Sequence, residues 1–489
     1  MSQMESSAYW KPREFAITII EGCKMAVVEQ LAAFIERACY EDMSDPARAR
    51  LKLSILDALG CAIGALDAKP IALVRQQVDE FAGAELSTLL GAGRAPPDRA
   101  AFYNGALVRY LDFNDSFLAP GESCHPSDNL APVLAAAEYA RCTGRQLLTA
   151  LAVAYQIQCR LSEASPVRDK GFDHVTQGAY AVAGGVSKIL GLNQVQTANA
   201  IAIAGTAFNA LRVTRTGALS NWKGLAYPNT AFCVTHATFL ARRGITGPIE
   251  VFEGNKGFIQ TIAGRFEIDW TKEDLEIPSR VTLKKYNAEV HSQSAIDAIL
   301  NLKKEYPFAA SEVEKVELET FDVAHKIIGG GEEGDKTMVG TKEQADHSLQ
   351  YILAVAILDG QVMPEQYSLQ RIQQPDVQKL LCKICVHPSA EFSCRFPKQM
   401  PVRLRVHLRG RHVLTSGQQD YEGFHTRPMS WQTVVQKFEG LSYSNSTKDI
   451  RQRIVAAVAD LENIPVTSLT DLLGQIGHKK CNHETTSKQ

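Results

Sequence analysis

Apolar segments with helical spacing, rich in alanine and glycine, fill the sequence between residues 26 and 265. They are residues 51–66, 99–110, 131–141, 144–161, 177–190, 195–207 and 229–243. In the first segment, apolar side chains recur at the three- and four-residue spacing of one helix face. Parts of the later segments are apolar nearly all round, so those helices should be buried among others. The pattern predicts a large helical bundle as the main domain.

The pattern changes near Pro278, where alternation replaces the helical spacing. Residues 312–320 and, more regularly, 401–413 alternate apolar with charged side chains, as strands do when one sheet face is buried. Helical spacing returns in residues 344–358 and 377–381. We therefore predict a mainly α protein, with a large all-helical domain at 26–278, a smaller α+β domain at 279–428 and further helices at 429–475.

Charge and hydropathy exclude two classes of partner. The chain has 52 basic and 54 acidic residues, a net charge of −2, so it has no basic excess to neutralise nucleic-acid phosphates. No apolar run reaches the length of about 18 residues that a membrane-spanning helix needs. We expect neither nucleic acid nor a membrane as a partner.

The expected compartment is the cytoplasm, with the mitochondrion left open. The N-terminal segment carries Glu5, Glu14 and Glu21 and lacks the basic-then-apolar order of a leader peptide. The eleven cysteines are scattered, many of them inside apolar segments. This usage is typical of a reducing compartment, where thiols act as small core residues.

The sequence offers little support for a metal or a cofactor. Cys382 and Cys385, with Cys394 nine residues further on, form an incomplete ligand set without a second close pair. The glycine-rich run GGGEEG at residues 329–334 lacks the Lys-Ser/Thr of a phosphate-binding loop. We predict an enzyme that uses neither.

The segment DFNDSFLAPGESCHPSDN, residues 112–129, separates two apolar helical patterns. It is much longer than the roughly two to eight residues of an ordinary helix–helix connection. It combines several carboxylates with an imidazole, the groups that move protons near neutral pH. The alternative is a solvated loop in which Ser127 or Asp128 caps the next helix. We favour an active-site loop, with Asp112 and His125 as its candidate catalytic residues.

Four further polar clusters lie within the otherwise apolar sequence. They are Asp173-His174, then Arg212 and Arg215 with Lys223, then residues 284–293 with His291, and Asp346-His347. Arginine and lysine within an apolar bundle favour an anion site, and a helix start lowers the pKa of a nearby imidazole. The alternatives are helix caps, a charged surface loop and a solvated linker.

Cations, carboxylates and histidines spread over two domains indicate a small polyanionic substrate and proton transfer. A tricarboxylic acid that undergoes α,β-elimination would use all three. The reaction needs a base for the C–H beside a carboxylate, an acid for the departing hydroxyl group and cations for the enolate-like charge.

Six short motifs follow one another along the chain: LDALGC (56–61), LDFND (111–115), HPSDN (125–129), RVTRTG with WKG (212–224), GP with FEG (247–254) and ADHS (345–348). Their identity and order resemble the MmgE/PrpD superfamily, and more closely its 2-methylcitrate dehydratase branch. The resemblance extends over residues 51–438.

The resemblance implies a helical main domain built from the N-terminal half and the C-terminal tail, an α+β lid, a homodimer and no metal. It implies a lyase, here a hydro-lyase that dehydrates 2-methylcitrate or a related alkylcitrate. The catalytic positions carried over are Asp112, His125, His174 and Lys223. The candidate substrate-binding residues are Arg212, Arg215, His291 and His347.

The chain departs from the dehydratase pattern at two places. Gln350 precedes Tyr351 where dehydratases have proline, a variation also seen in decarboxylases. The run YEGFH at residues 421–425 differs from the dehydratase pattern Tyr-Pro-x-Gly-His. A cis-aconitate decarboxylase on the same scaffold is therefore the alternative function, and a non-catalytic binding protein is a third hypothesis.

The roles of acid and base are assigned to one loop. We expect Asp112 and His125 to share one pocket, because the loop between them can fold back. Beside a carboxylate, His125 should hold its proton more firmly and protonate the leaving hydroxyl group. Asp112 would orient the imidazole or take the substrate proton, and His174 is the alternative base.

Overall fold

The computed structural model describes residues 25–217, 219–410 and 413–477 of the chain. These residues form a large helical domain and a smaller α+β domain, which confirms the mainly α fold class. The acidic N-terminal segment, on which the compartment prediction partly rests, lies outside the described residues.

The helical domain begins with helices that alternate with short connections. They are α1 (Val27–Arg37), α2 (Asp45–Gly64), α3 (Lys69–Phe81), α4 (Pro97–Tyr110), α5 (Leu130–Tyr139), α6 (Gly144–Ala164), α7 (Val175–Ile189), α8 (Gln194–Ala207) and α9 (Trp222–Arg242). A short hairpin, β1 (Ser87–Thr88) with β2 (Arg94–Ala95), follows α3. Side-chain caps start several of the helices: Ser44 accepts from the Ala47 N–H, and Thr143 from the Gln146 N–H. Helix α4 packs on α9, and α6 packs on α7.

Helix α9 starts at Trp222, seven residues before the predicted start at residue 229. The helix continues through Pro228, a residue that the predicted segment left outside it. Pro228 lies against Gly105 of α4, where even an added Cβ would sit 3.5 Å from the proline. The earlier start places Lys223 in the first turn of a buried helix.

The segment 112–129 is an ordered hairpin and not an open loop. Strand β3 (Phe117–Ala119) pairs antiparallel with β4 (Glu122–Cys124), and Gly121 supplies the positive φ of 78° at the turn. Ser116, just before β3, exchanges backbone hydrogen bonds of 2.8 Å with Thr282 at the domain junction. The hairpin therefore folds the chain back and brings its two ends together.

The smaller domain is built on a four-stranded sheet in the order β6–β5–β7–β8. Its strands are β5 (Val313–Thr320), β6 (Ile384–Pro388), β7 (Val402–Leu408) and β8 (Leu414–Gln418). β5 and β7 confirm the two predicted strands, while β6, which pairs parallel to β5, and β8 were not predicted. Its helices are α10 (Gln293–Glu305), α11 (Asp322–Ile328), α12 (Lys342–Ala345), α13 (Leu349–Asp359), α14 (Leu369–Ile372), α15 (Pro375–Leu381) and α16 (Ala390–Ser393).

The predicted helix at residues 344–358 is interrupted. Helix α12 ends at Ala345, and α13 begins only after Ser348, whose hydroxyl oxygen accepts from the Tyr351 N–H at 3.0 Å. The break leaves Asp346 and His347 between the two helices, where their buried side chains contact Lys223 of the first domain.

The C-terminal helices return to the first domain. They are α17 (Trp431–Ser442), α18 (Lys448–Ala459) and α19 (Val466–Leu473), and α17 packs along α2. Lys437 of α17 pairs with the buried Asp57 of α2 at 2.6 Å and also donates to the carbonyls of Phe113 and Lys284. Within the described ranges, every helix is too short or too polar to cross a bilayer.

Candidate active site

A polar cavity lies at the junction of the two domains. Side chains from both domains line it: Arg109, Asp112, Ser123, His125, Arg168, His174, Arg212, Arg215, Lys284, Glu289, Ile327, Glu333 and His347. Its volume is about 40 Å³, room for a few water molecules. A larger chamber of about 390 Å³ adjoins it and shares Arg168, Arg212, Ile327 and Glu333 with it.

Asp112 lies at the centre of the cationic side of this cavity. It follows α4 with a positive φ of 53°, a conformation that few residues other than glycine adopt. Its Oδ1 accepts from Arg109 and Lys284, each at 2.7 Å, and its Oδ2 lies 3.3 Å from the Lys223 Nζ. Burial acts to raise the pKa of Asp112, but these three cations outweigh burial and hold the pKa well below its usual range.

Lys223 lies beneath the cavity wall. Its Nζ lies 3.0 Å from Asp346 Oδ1 and 3.0 Å from His347 Nδ1, in addition to its contact with Asp112. Burial lowers the pKa of Lys223, while the two carboxylates oppose this shift. The sequence placed Lys223 against a substrate anion, whereas the structure shows it between two protein carboxylates.

His347, predicted to bind substrate, lines the cavity beside Asp112. Its Nδ1 lies 2.6 Å from Asp346 Oδ1, and its Nε2 is 3.8 Å from Asp112 Oδ2. Burial, and then the nearby Lys223, lower the pKa of His347. It is therefore held as a neutral ring between two carboxylates.

His125, at the far end of the hairpin, lines the same cavity as Asp112, as the sequence predicted. Its Nδ1 lies 2.7 Å from the carbonyl oxygen of Asp115, which can only accept, so Nδ1 carries the proton. Nε2 is then the lone-pair nitrogen of the neutral ring.

The predicted protonation of His125 is wrong. Burial, together with Arg109 and Lys284, lowers the pKa of His125 well below its usual value, and the opposing effect of Asp112 is smaller. The Asp112 carboxylate was expected to help the His125 ring hold its proton, but the charge of this carboxylate is balanced by the surrounding cations. A neutral ring with a free Nε2 lone pair accepts a proton first, so His125 is suited to start a reaction as a base and not as an acid that is already protonated.

His174 forms the next part of the cavity wall, with its ring centroid 5.4 Å from that of His125. Burial lowers the pKa of His174 to about 3. Arg215 Nη2 lies 3.3 Å from His174 Nε2, so the proton of the neutral ring belongs on Nδ1. That buried Nδ1 has no hydrogen-bond partner among the described residues.

The residues around His174 include the predicted Arg215. Arg215 donates to Asp173 Oδ2 at 2.8 Å and to the Lys223 carbonyl at 2.8 Å. Asp173 also accepts from the Val175 N–H, so the alternative that it caps α7 is true as well. Arg215 thus joins the starts of two helices, α7 and α9, at the cavity floor.

Arg212 and His291 occupy different positions relative to the cavity. Arg212 lines it and donates to Glu333 of the second domain at 2.6 Å. His291 is fully buried behind the wall, where its Nδ1 lies 2.7 Å from Glu289 Oε1. Glu289, and not His291, reaches the cavity.

Several site residues were missed in the sequence: Arg109, Arg168, Lys284, Glu289 and Glu333. Lys284 lies within the run 284–293 that was noted at the domain junction, but only His291 was selected from it. Lys284 Nζ donates both to the Asp112 carboxylate and, at 2.6 Å, to the Asp112 carbonyl. Arg109, in the last turn of α4, lies three residues before Asp112, and this short spacing was the available signal.

One group in the described part of the chain has ligand atoms close enough to hold a metal ion, namely Asp112, Asp346 and His347. The Lys223 ammonium lies 3.0–3.3 Å from an atom of each of the three, which places a cation in the space that a metal ion would need. Cys382, Cys385 and Cys394 do not form such a group among the described residues.

The cavity carries a cationic excess. Five cationic groups line it against three carboxylates, and its histidines have lowered pKa values. Such an arrangement can hold a small polyanion, take a proton at His125 Nε2 and donate a hydrogen bond from His174 Nδ1.

Comparison with known proteins gives two family matches. The family model described as MmgE/PrpD N-terminal domain matches residues 29–271, and the one described as MmgE/PrpD C-terminal domain matches residues 286–463.

Individual relatives have two different names. The chain is 26% identical to a cis-aconitate decarboxylase of Mus musculus over 92% of this chain and 93% of the relative. It is 28% identical to a 2-methylcitrate dehydratase of Escherichia coli K12, over 71% and 74%. It is 25% identical to a mitochondrial 2-methylcitrate dehydratase of Yarrowia lipolytica, over 91% and 89%.

Proposed function

The chain belongs to the MmgE/PrpD family, and from this we propose that it is a hydro-lyase that dehydrates 2-methylcitrate or a related alkylcitrate. The observation that carries the proposal is the cavity itself, where five cationic groups surround three histidines with lowered pKa values and an aspartate that stays ionised. Relatives named 2-methylcitrate dehydratase support the substrate class.

The proposed elimination assigns one task to each group. Arg212, Arg168 and Lys284 hold substrate carboxylates, and they stabilise the enolate-like charge that develops as the C–H bond breaks. His125 Nε2 takes the proton from the carbon beside a carboxylate. The C–O bond then breaks, a C=C bond forms, and the hydroxide takes the proton that His125 holds and leaves as water.

The remaining groups orient the reactants. The free N–H of His174 donates to the hydroxyl oxygen of the substrate. Asp112 stays ionised and fixes the positions of Arg109 and Lys284. Lys223 neutralises Asp112 and Asp346, so that the cationic excess faces the substrate.

The test is incubation of the purified chain with citrate, 2-methylcitrate, longer alkylcitrates and cis-aconitate. We expect an alkylcitrate to lose water. The ultraviolet absorbance of the conjugated product measures the reaction. His125→Gln should abolish it, whereas His236→Gln, an exposed histidine of α9, should not. If the protein converts none of these four kinds of compound, the proposal is refuted.

Cis-aconitate decarboxylation is the second candidate function. The mouse decarboxylase aligns over 93% of its own length, and Gln350 replaces the proline of the dehydratase pattern. Release of carbon dioxide from cis-aconitate without dehydration of any alkylcitrate would establish this alternative.

We further propose a metal-independent homodimer in the cytoplasm. The lysine among the candidate metal ligands supports the first property, so activity should survive prolonged EDTA treatment; loss that iron or zinc restores would refute it. Sedimentation should give twice the chain mass. Fractionation should separate the cytoplasmic location from the mitochondrial one that the Yarrowia relative suggests.

A further inference from the structure

Glu333 closes the cavity on the side of the second domain. Its Oε1 accepts from Arg212 at 2.6 Å, and the two side chains are only 9% and 13% exposed. Arg212 belongs to the segment before α9, and Glu333 to the glycine-rich run after α11. This ion pair therefore joins the two domains at the cavity mouth.

The pair also separates two spaces. Glu333 and Arg212 line both the inner cavity and the outer chamber of about 390 Å³. Arg168, which lines both spaces as well, donates to Ser123 at 3.1 Å. Its Nε has no hydrogen-bond partner among the described residues and lies 3.8 Å from Glu122 Oε1. Two guanidinium groups thus line the space around Glu333, and Arg212 is the one that contacts it.

The backbone of the glycine-rich run is anchored, so a change at this site would involve the Glu333 side chain. The Glu333 N–H donates to the Lys326 carbonyl at 3.0 Å, which holds the run against the end of α11. Gly330 and Gly334 have φ values of 102° and 88°, which glycine adopts at little cost. Gln350 Nε2 donates to the Gly329 carbonyl at 2.9 Å and anchors the start of the run.

The charges indicate what replaces Glu333. Five cations face three carboxylates in the inner cavity; without Glu333 they face two, an excess of three positive charges. Behind the lining, Arg215 pairs with Asp173 and Arg168 lies near Glu122, so the lining favours a polycarboxylate without fixing its exact charge.

We propose that the Glu333 carboxylate occupies the subsite at which Arg212 and Arg168 bind a substrate carboxylate, and that substrate binds by displacing it into the outer chamber. The proposal rests on the proposed function, because it names a tricarboxylate as the ligand. It adds a residue that sets the affinity without touching the reacting atoms.

Calorimetric titration of the full chain with propane-1,2,3-tricarboxylate tests this step. The compound carries three carboxylates and has no hydroxyl group to eliminate, so binding is measured apart from turnover. Glu333→Gln should lower Kd by about tenfold, because the binding-competent fraction of the protein rises. Glu333→Asp, one methylene shorter, should lower Kd by a smaller factor.

Glu332→Gln is the matched control, since Glu332 is exposed and adjacent and its substitution removes the same charge. Its Kd should stay within about twofold of wild type, because an exposed charge is screened. Binding by wild type that does not tighten in Glu333→Gln or Glu333→Asp would overturn this proposal alone. Absence of binding by every protein would overturn the proposed function with it.

Discussion

Asp112 and Asp115 lie three residues apart in one segment and are both buried, but their carboxylates have different neighbours. Asp112 contacts Arg109, Lys223 and Lys284, and its pKa is held well below the usual range. Asp115 has no such cationic contact among the described residues, and burial raises its pKa to about 6. Burial acts on both in the same direction, so the cations make the difference.

The neighbours of Asp115 explain its behaviour. Its carboxylate accepts from the Ser127 N–H and hydroxyl group and from the Tyr155 hydroxyl group, all neutral donors. Asp128 behaves like Asp115: Arg109 Nε approaches it only to 3.6 Å, and burial raises its pKa to about 7, above that of Asp115. One segment thus combines an ionised anchor with carboxyl groups that hold protons near neutral pH.

Asp112→Asn should have the largest effect on stability of the substitutions that separate the two aspartates. Without the anion, Arg109, Lys223 and Lys284 become uncompensated buried cations, so the free energy of unfolding should fall by about 3–5 kcal/mol. Denaturant titration measures this loss. The matched variant Asp115→Asn should lose about 1 kcal/mol or less, because its donors are neutral. Equal losses would show that cationic contacts do not distinguish the two positions.

Lys223→Met tests the cation that joins Asp112 to Asp346. We expect kcat/KM to fall by a factor corresponding to about 2–4 kcal/mol, because two ionised carboxylates then compete with the substrate for the remaining cations. Steady-state kinetics on the active substrate measures it. Lys342→Met is the control, since Lys342 pairs with Asp346 at 2.8 Å from outside the cavity lining. A larger loss in the control would contradict the assigned role.

Asp128→Asn should change how stability depends on pH. A carboxyl group with a raised folded pKa contributes stability that is complete below its unfolded pKa of about 4 and is lost as pH rises through the folded value. For Asp128 that folded value is about 7. The variant should therefore flatten the fall in stability between these pH values by at least about 1 kcal/mol.

Chemical denaturation at a series of pH values measures the Asp128 effect. Asp45→Asn, at a side chain that is 94% exposed, should leave the profile as it is in wild type. Asp112 has the opposite effect on the pH dependence of stability. Because its folded pKa is lowered, the stability that it contributes is lost as pH falls below its unfolded pKa. If the pH profile of Asp128→Asn matches that of wild type, Asp128 does not have the raised pKa that is expected here.

The smallest expected effect concerns His125. Burial, and then Arg109 and Lys284, lower the pKa of His125, so its ring should not titrate near pH 6.5. Lys284→Met should move the titration of His125 upward by about half a pH unit or more, which NMR of labelled histidine can follow. A wild-type titration at the ordinary histidine value would contradict the cationic environment.

The sequence predicted much of the fold because helical spacing and alternation are local properties. Residues 99–207 contain predicted segments that match α4 to α8 closely, whereas the starts of α2 and α9 were placed too late and α1 and α3 were not singled out. Two strands of the sheet were also predicted. The sequence also selected Asp112, His125 and His174, which the structure brings to one cavity. It missed Lys284, because a lysine in a charged junction has no local feature that separates it from a solvated one.

Residue types and their spacing determined by themselves that this chain forms a helical bundle with an α+β domain and carries a polar segment unsuited to a simple connection. Only the tertiary structure decided which charges meet. The pKa of His125 and the pairing of Glu333 with Arg212 depend on groups far apart in the chain. Electrostatic energy follows distances in space and burial, and neither quantity is written in the order of the residues.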